Sequence, residues 1–293
     1  MSANNGSKIA IGTAQFGMNY GIANQSGQVA KLEVAAILEL AREFGIDTMD
    51  TAKTYGNSED VIGTFLTNNE VSGWKVITKI SGLQSSLSNQ LRDSIEKLTI
   101  TPFAILAHSA SLYLQDSFQR ELNNLKETKP AIKFGLSLYS ETEIRQVLES
   151  AFVPEIIQLP LNIVDTRLYR RGVLDNLKDK GIDIHIRSVF LQGLFYLSDE
   201  EIKLRFPDVF NLIKQLRLIA EDACLTIAEL SLHWVYSLEQ VDKVIIGIDN
   251  VEQLRSHLRI LKKKVDPAVF KEALSIKYEN ENILNPSKWL IKS

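Results

Sequence analysis

Short apolar runs rich in β-branched residues alternate with longer amphipathic stretches along the whole 293-residue chain. Runs of this length and composition are typical of parallel strands that are covered on both faces. The stretches between them repeat their apolar positions with the period of helices that bury one side. The pattern predicts strands over residues 8–14, 47–52, 74–80, 103–108, 131–138, 156–162, 182–189 and 241–248.

Several of the predicted helices carry recognisable ends. Ser58, Ser140 and Thr226 each stand where an N-cap is expected, and the last two have a glutamate three residues later, which is the spacing of a capping box. Residues 31–45 are predicted as a helix that ends at Gly45. Its expected apolar side consists of Leu32, Ala35, Ala36, Ile37, Leu38 and Ala41.

The alternation continues without a Pro/Gly/Ser-rich linker. With residues 251–261 as the last helix, it amounts to eight βα units, and residues 207–223 and 266–277 are predicted as extra helices before an irregular tail. The length also fits a doubly wound sheet split over two domains, but unbroken βα units favour closure into one barrel. The predicted fold is therefore a single (β/α)8 TIM barrel domain over residues 1–293, with the tail near the active rim.

Composition narrows the possible classes of protein and partner. With 45% apolar and 24% charged residues, the chain is an ordinary globular protein and not a disordered or collagen-like one. A net charge of -3 gives no reason to expect a nucleic-acid partner. No apolar run is long enough for a membrane helix, the first residues lack a secretion signal, and the only cysteine is Cys224, so we expect a cytoplasmic protein.

Four ionisable side chains are predicted to meet at one rim of the barrel. Asp50 ends the second strand, Tyr55 follows it in a loop, Lys79 ends the third strand and His108 the fourth. Any one of them alone would only mark where a strand meets water. Because the carboxyl ends of barrel strands form the active face, all four together predict a site.

The chemistry of these four side chains is that of proton delivery to a carbonyl group. A phenol with a pKa of about 10 can donate its proton to a developing alkoxide. We expect Lys79 to lower the pKa of Tyr55, Asp50 to hold Lys79, and a neutral His108 to orient the carbonyl. No Cys or His pair has the spacing of a metal site, so none is expected.

At this point the sequence resembles a known family. DTAKTYGNSE, residues 50–59, is similar to the D-T-A-x-x-Y-G-x-S-E signature of the aldo-keto reductases, and weaker matches follow in the family's order to the end of the chain. The resemblance implies a barrel that reduces aldehydes or ketones with NADPH or NADH. It also implies that Tyr55 is the general acid, that Lys79 and Asp50 tune it, and that His108 orients the substrate.

The resemblance also implies a set of cofactor positions. Ser137 and Gln158 match residues that bind the nicotinamide carboxamide, although Leu138 stands where an asparagine is usual. Arg187 replaces the aromatic residue on which the nicotinamide stacks, and we expect its charge to favour the reduced cofactor. The full implied set is Gly12, Thr13, Asp50, Ser137, Gln158, Arg187, Ser188, Phe190, Gly193, Gly247, Asp249, Gln253 and His257.

The choice between NADH and NADPH stays open at this stage. Asp249 would repel a 2′-phosphate but accept a hydrogen bond from a free ribose hydroxyl. Asn250 and the start of the last helix offer neutral phosphate donors, and Arg255 offers a charged one.

Three aromatic residues, Phe16, Tyr20 and Trp289, are candidates for the substrate wall, with core packing or attachment of the tail as the alternative. His185 and His233 are interpreted as structural. Four charged residues follow the sixth strand: Asp165, Arg167, Arg170 and Arg171. They are expected either to bind an anionic substrate or to form ion pairs with one another and with their surroundings, and we favour the ion pairs.

The function predicted from these residues is reduction of a small aldehyde, ketone or sugar-like substrate with a nicotinamide cofactor. Residues 12–24 and 187–194 resemble bacterial aldo-keto reductases that accompany surface-polysaccharide synthesis. Two alternatives remain: a cofactor-binding sensor or regulatory subunit with little turnover, and a lyase or isomerase that uses Lys79 as a Schiff base. The oligomeric state is not predicted.

Overall fold

Eight parallel strands close into a barrel in the computed structural model, which describes residues 7–69 and 72–289. Each strand pairs with the next along the chain, and the eighth pairs with the first, Ile9 facing Val244 and Gly12 facing Gly247. The predicted (β/α)8 barrel is therefore confirmed. The strands are β1 (Ile9–Gly12), β2 (Thr48–Asp50), β3 (Lys75–Ile80), β4 (Ala104–Ala107), β5 (Lys133–Ser137), β6 (Ile156–Pro160), β7 (Asp183–Arg187) and β8 (Lys243–Gly247).

Helices surround the barrel and fill the longer connections. None of those that the structure describes combines the length and the apolar character needed to cross a membrane. They are α1 (Ala14–Gly17), α2 (Lys31–Glu43), α3 (Ser58–Asn68), α4 (Leu87–Leu98), α5 (Ala110–Tyr113), α6 (Asp116–Thr128), α7 (Glu141–Leu148), α8 (Arg167–Arg170), α9 (Val173–Asp179), α10 (Asp199–Arg205), α11 (Pro207–Asp222), α12 (Ile227–Ser237), α13 (Val251–Ile260), α14 (Pro267–Ser275) and α15 (Glu281–Leu284). Two 3₁₀ helices cover Leu191–Tyr196 and Pro286–Lys288.

The predicted helix ends are mostly confirmed. Ser140 and Thr226 form complete capping boxes with the glutamates three residues on, and both extra helices are present as α11 and α14. Ser58 is not the N-cap of α3, because Asn57 precedes it and the buried Ser58 hydroxyl donates to Thr13 instead. Leu32 is also misassigned: it is 88% exposed, since the stripe of α2 that faces the barrel runs through Val34, Ile37, Leu38 and Ala41.

Because side chains alternate along each strand, residues two positions apart point to the same side, and the barrel interior changes from apolar to polar toward the carboxyl ends. Ile77, Ala104, Leu106 and Ile156 form a small buried cluster that is separate from the main core. Lys79, His108 and Gln158 follow members of this cluster two residues later, so they lie on the same side of their strands, one layer closer to the carboxyl ends. The fold thus delivers polar groups to one end of a packed interior.

Ion pairs gather at the opposite, amino end of the barrel. Asp47 lies 2.8 Å from Lys75 and 3.1 Å from Lys243, and Lys133 lies 2.6 Å from Asp183. Partial burial by itself raises the pKa of Asp47, but hydrogen bonds from Lys75, Thr48 and Lys243 outweigh it and lower the pKa to about 2. The contacts of Asp47, which directly precedes β2, connect that strand with β3 and β8 at the amino-end face of the barrel, where polar contacts serve stability.

Replacing Asp47 with asparagine removes the shared anion of this network. We expect Asp47→Asn to lower the free energy of unfolding at neutral pH by about 1–2 kcal/mol, since two cations lose their partner. Because the folded pKa lies below the unfolded one, the native contribution is present above about pH 4 and fades as the pH falls toward 2. Urea unfolding of both proteins across this range tests the prediction, and an equal difference at low and neutral pH would contradict it.

Candidate active site

A pocket of about 280 Å³ opens at the carboxyl ends of the strands. Asp50, Tyr55, Lys79 and His108 all line it, so the structure brings together the four ionisable side chains predicted to meet there. They come from β2, the loop after it, β3 and the end of β4.

Asp50 and Lys79 form a buried ion pair at the base of the pocket. The Lys79 ammonium lies 2.5 Å from Asp50 Oδ1 and 2.9 Å from the Thr51 carbonyl oxygen, and Gln158 Nε2 donates to the second Asp50 oxygen. Burial lowers the pKa of Lys79, and the charge of Asp50 opposes that shift. The pair therefore places a fixed, mutually compensated dipole under the pocket.

Tyr55 lies directly above this pair. Its ring is 5.1 Å from Lys79 Nζ and meets His108 edge-on at 6.3 Å between ring centroids. Burial raises the pKa of Tyr55, the Asp50 carboxylate raises it further, and Arg187 acts in the opposite direction. The expected lowering by Lys79 is thus wrong for this state, because desolvation of the phenolate dominates. Tyr55 holds its proton throughout the physiological range and is available as a donor.

His108 is held neutral by its surroundings. Burial lowers the pKa of His108 to about 4, and the charges of Lys79 and Arg187 act in the same direction. Its Nδ1 lies 3.5 Å from the Thr54 hydroxyl. A neutral imidazole can donate a hydrogen bond to a carbonyl oxygen without bringing a charge into the pocket.

Close backbone packing fixes the loop that carries Tyr55. A Cβ on Gly17 would lie 1.8 Å from the Tyr55 carbonyl oxygen, and one on Gly56 would lie 2.1 Å from the Gly17 carbonyl oxygen. The Ser58 hydroxyl bonds Thr13 and accepts from Thr51 in the same region. The short helix α1 and the loop after β2 are therefore packed as one unit against the pocket.

Most of the implied cofactor positions line this pocket together with Asp50. Gln158 and His257 do not: Gln158 is completely buried against Asp50, with its Oε1 unpartnered among the described residues, and His257 stacks on Phe190 at 5.0 Å. The lining positions are Gly12, Thr13, Ser137, Arg187, Ser188, Phe190, Gly193, Gly247, Asp249 and Gln253.

Arg187 lies with its guanidinium over a tyrosine ring. The distance from Cζ to the Tyr139 ring centroid is 4.1 Å, while Nε donates to Ser137 Oγ at 2.9 Å and an NH2 group to the Leu138 carbonyl oxygen at 3.1 Å. Leu138 stands where the resemblance implies an asparagine. Its backbone carbonyl oxygen accepts this hydrogen bond from Arg187, and its apolar side chain is buried.

The segment after β7 follows an unusual backbone path along the pocket. Ser188, Leu191, Gln192 and Gly193 all have positive φ angles, which cost energy for the three that are not glycine. The Ile22 N–H donates to the Gln192 carbonyl oxygen at 3.1 Å, so this segment touches the loop after β1. The contact holds two walls of the pocket together.

The end of the pocket near β8 is acidic. Asp249 Oδ1 is buried, with no hydrogen-bond partner found within the described ranges, and burial raises the pKa of this carboxyl. Two of the N-terminal N–H groups of α13 are already used: Val251 donates to Glu33, and Gln253 donates to Asn250. Arg255 pairs with Glu252 at 3.3 Å and does not line the pocket.

The three substrate-wall candidates have different positions. Tyr20 lines the pocket, 6.5 Å from Tyr55 between ring centroids, and burial raises its pKa to about 12. Phe16 is completely buried in the core, and Trp289 packs on Phe206 at 4.7 Å while its indole N–H donates to Ile283. The prediction that Phe16 and Trp289 form part of the substrate wall is therefore wrong. Phe16 packs in the core, and Trp289 attaches the tail to the barrel.

The polar group after β6 forms ion pairs and hydrogen bonds. Arg167 binds Asp165 and Glu281, Arg170 donates to Thr166 and to carbonyl oxygens near the end of α14, and Arg171 pairs with Glu141. None of these side chains lines the pocket. His185 and His233 are buried in a strand and a helix, as the structural interpretation requires.

Sequence reasoning missed several residues of the pocket. Tyr139 follows the end of β5 by two residues, the only signal that could have identified it, while Gln15 and Asn24 belong to the connection after β1. Gln192 and Tyr196 lie in the irregular segment after β7, where no periodicity guides prediction.

Comparison with known proteins agrees with this architecture. Residues 8–277 match the model of the Aldo/keto reductase family. The structure superposes on an aldo-keto reductase from Bacillus halodurans in its holo form with a TM-score of 0.74 at 17% identity, covering 94% of each chain. It also superposes on a glycerol dehydrogenase from Gluconobacter oxydans with a TM-score of 0.69 at 19% identity, covering 92% of this chain and 90% of that one.

The protonation state of His108 is open to direct measurement. With a pKa of about 4, the imidazole stays neutral as the pH falls from about 8 to about 5.5, and protonates only below that. We expect its ring resonances in NMR spectra, assigned with His108→Asn, to hold constant over this range. The urea-unfolded protein is the control, because its histidines titrate near the ordinary imidazole pKa of about 6.5. A native midpoint near that value would overturn the assignment of a neutral His108.

Proposed function

Because the chain belongs to the aldo-keto reductase family of oxidoreductases, we propose that it reduces the carbonyl group of a small aldehyde, ketone or sugar-like compound with a nicotinamide cofactor. The observation that carries the proposal is the position of a protonated phenol, Tyr55, above a buried Lys79–Asp50 pair and against a neutral His108. This arrangement supplies an acid, a group that stabilises its conjugate base, and a donor for the carbonyl oxygen.

Each residue has one task in the reduction. His108 donates a hydrogen bond that orients the carbonyl oxygen, and Tyr55 transfers its phenolic proton to that oxygen as negative charge develops on it. The Lys79 ammonium, held by Asp50, stabilises the resulting phenolate. A bound nicotinamide cofactor supplies the hydride that the carbonyl carbon gains. The product is the alcohol, with one hydrogen from the cofactor and one from Tyr55.

The pocket has features that fit such a cofactor. Asp249 lines it, and the buried Oδ1 of Asp249 has no hydrogen-bond partner among the described residues, so it can accept from a ribose hydroxyl. Gly12 and Gly247, at the ends of β1 and β8, line the pocket with backbone only, and the Gln15 side chain packs against Gly247, where a Cβ would lie 2.4 Å from Gln15 Nε2. The segment Ser188–Gly193 would wrap the pyrophosphate.

The alternatives have less support. A sensor or regulatory subunit needs a cofactor pocket but no acid, and here the complete set of four residues is retained. Schiff-base chemistry needs a free Lys79 amine, whereas Lys79 is fully buried and held by Asp50 and the Thr51 carbonyl oxygen.

Removing the Tyr55 hydroxyl tests the proposed acid. We expect Tyr55→Phe to lower kcat for carbonyl reduction at least about 100-fold while the cofactor dissociation constant stays within a factor of about three. Tyr169→Phe is the matched control, because Tyr169 packs on Trp234 away from the pocket. Cofactor oxidation with a panel of aldehydes and ketones, and fluorescence titration of the cofactor, provide the two measurements. Equal turnover of Tyr55→Phe and wild type would end the proposed role.

For the cofactor we propose NADH. The β8 end of the pocket holds Asp249, and the Glu33 carboxylate already accepts from the first N–H of α13. The lysine and the arginine that line the pocket, Lys79 and Arg187, lie on β3 and β7 and not at the β8 end. A 2′-phosphate dianion at the β8 end would meet the Asp249 carboxylate and find the first N–H of α13 already bonded to Glu33, whereas a free ribose hydroxyl would donate to Asp249 Oδ1.

Neutralising the two carboxylates should shift cofactor choice. We expect the Glu33→Gln, Asp249→Asn double variant to raise the ratio of kcat/KM for NADPH over NADH about tenfold or more, because the repulsion is removed. Glu252→Gln is the control for net charge, since Glu252 is exposed on α13 and pairs with Arg255. A wild-type enzyme that strongly prefers NADPH would show that these carboxylates do not face the adenosine ribose.

A further inference from the structure

Arg187 carries a positive charge in the pocket without a carboxylate beside it. It is the last residue of β7, it is half-buried, and it lines the pocket with Tyr55 and His108. Among the described residues no Asp or Glu forms an ion pair with it; its polar partners are the Ser137 and Ser188 hydroxyls and the Leu138 carbonyl oxygen. Arginines in such half-buried positions normally pair with an anion, so this charge needs an explanation.

The surrounding groups hold the guanidinium rigidly without neutralising it. One face lies on the Tyr139 ring, 4.1 Å from its centroid, and Nε and NH2 are fixed by Ser137 and Leu138. A guanidinium has five N–H donors, and these contacts together with the long 3.3 Å bond to Ser188 use three of them. The two remaining donors, one on each terminal nitrogen, have no hydrogen-bond partner among the described residues, and Arg187 lines the pocket.

The other charges near the four catalytic candidates cancel. Lys79 and Asp50 compensate each other at 2.5 Å, and His108 is neutral because its pKa is about 4. The charge of Arg187 therefore remains as the net charge at this end of the pocket, within reach of electrostatic interaction with Tyr20, Tyr55 and His108. Asp249, the other carboxylate of the pocket, lies past β8 and forms no ion pair with it.

We propose that Arg187 binds a carboxylate or phosphate group of the substrate, so that this reductase acts preferentially on anionic aldehydes, oxo acids or sugar derivatives. The inference rests on the proposed carbonyl reduction and adds the charge class of the substrate to it. A planar guanidinium fork matches the two oxygens of either anion. Tyr20 and Tyr139 supply aromatic surface for the carbon chain between the anion and the carbonyl group.

Stacking of the nicotinamide on Arg187 is compatible with this role. Stacking uses a face of the guanidinium, and Tyr139 occupies one face only. Hydrogen bonding to an anion uses the N–H groups at the edge, in the plane of the group. One arginine can therefore contact the cofactor ring and the substrate anion in perpendicular directions.

The test compares aldehydes that share a carbon chain and differ in whether that chain carries an anionic group. One pair is succinic semialdehyde with butanal, and a second is glyceraldehyde 3-phosphate with glyceraldehyde. We expect the wild-type kcat/KM to be at least about tenfold higher for one of the charged members than for its neutral counterpart. Arg187→Met should lower this charged-to-neutral ratio at least about tenfold, and Arg187→Lys by less, because it keeps the charge without the fork. The two pairs distinguish a carboxylate from a phosphate.

The ratio separates recognition of the substrate from structural or cofactor effects. A merely structural Arg187, or one that serves only the cofactor, lowers kcat/KM for both members equally and leaves the ratio unchanged, which would overturn the inference. Arg171→Met removes the same charge from an arginine that pairs with Glu141 outside the pocket, and its ratio should equal that of wild type.

A binding measurement without turnover distinguishes failure of the inference from failure of the proposed function. Calorimetry with 4-hydroxybutyrate and with butanol, in the presence of cofactor, should show tighter binding of the acid to wild type and a loss of that difference in Arg187→Met. If no carbonyl compound is reduced but the acid still binds through Arg187, the proposed function fails and the anion site stands. If aldehydes are reduced with a ratio near one, the anion site fails and the function stands.

Discussion

The site depends on one interaction, the ion pair between Lys79 and Asp50 under the pocket. Burying an ammonium and a carboxylate costs several kcal/mol each, and the cost is offset only when both are fully hydrogen-bonded. The barrel meets this requirement from three strands: Asp50 on β2, Lys79 on β3 and Gln158 on β6, with the Thr51 carbonyl oxygen as a further acceptor. Closure of the sheet is what brings β6 opposite β2, so the fold is a condition for the pair.

The same low-dielectric surroundings determine the protonation of the other groups. Burial keeps Tyr55 protonated and His108 neutral, so both are in the form that the proposed reduction requires of a hydrogen-bond donor. Because Tyr55 and His108 are neutral and Lys79 and Asp50 compensate each other, the guanidinium of Arg187 determines the net charge at this end of the pocket. The two proposals thus give chemistry and selectivity to different residues of one rim.

Much of this was predictable from residue patterns, because alternation and motif spacing report on backbone periodicity. The eight strands, the capping boxes at Ser140 and Thr226, and the meeting of the four rim residues follow from such spacing. The direction of the Tyr55 pKa, the burial of Phe16 and the stacking of Arg187 on Tyr139 do not, since they depend on packing between segments distant in sequence. The failed N-cap at Ser58 has the same origin, a tertiary bond to Thr13.

The ion pairs around Asp47 lie at the amino ends of the strands, and the reacting groups lie at the carboxyl ends. Among the described residues, no hydrogen bond or ion pair joins the Asp47 network to Tyr55, Lys79 or His108. Substitutions at the lower end can therefore raise or lower stability without disturbing the field at the rim. Such a separation makes the protein evolvable: a change of substrate that weakens the upper end can be compensated at the lower end, independently of the chemistry.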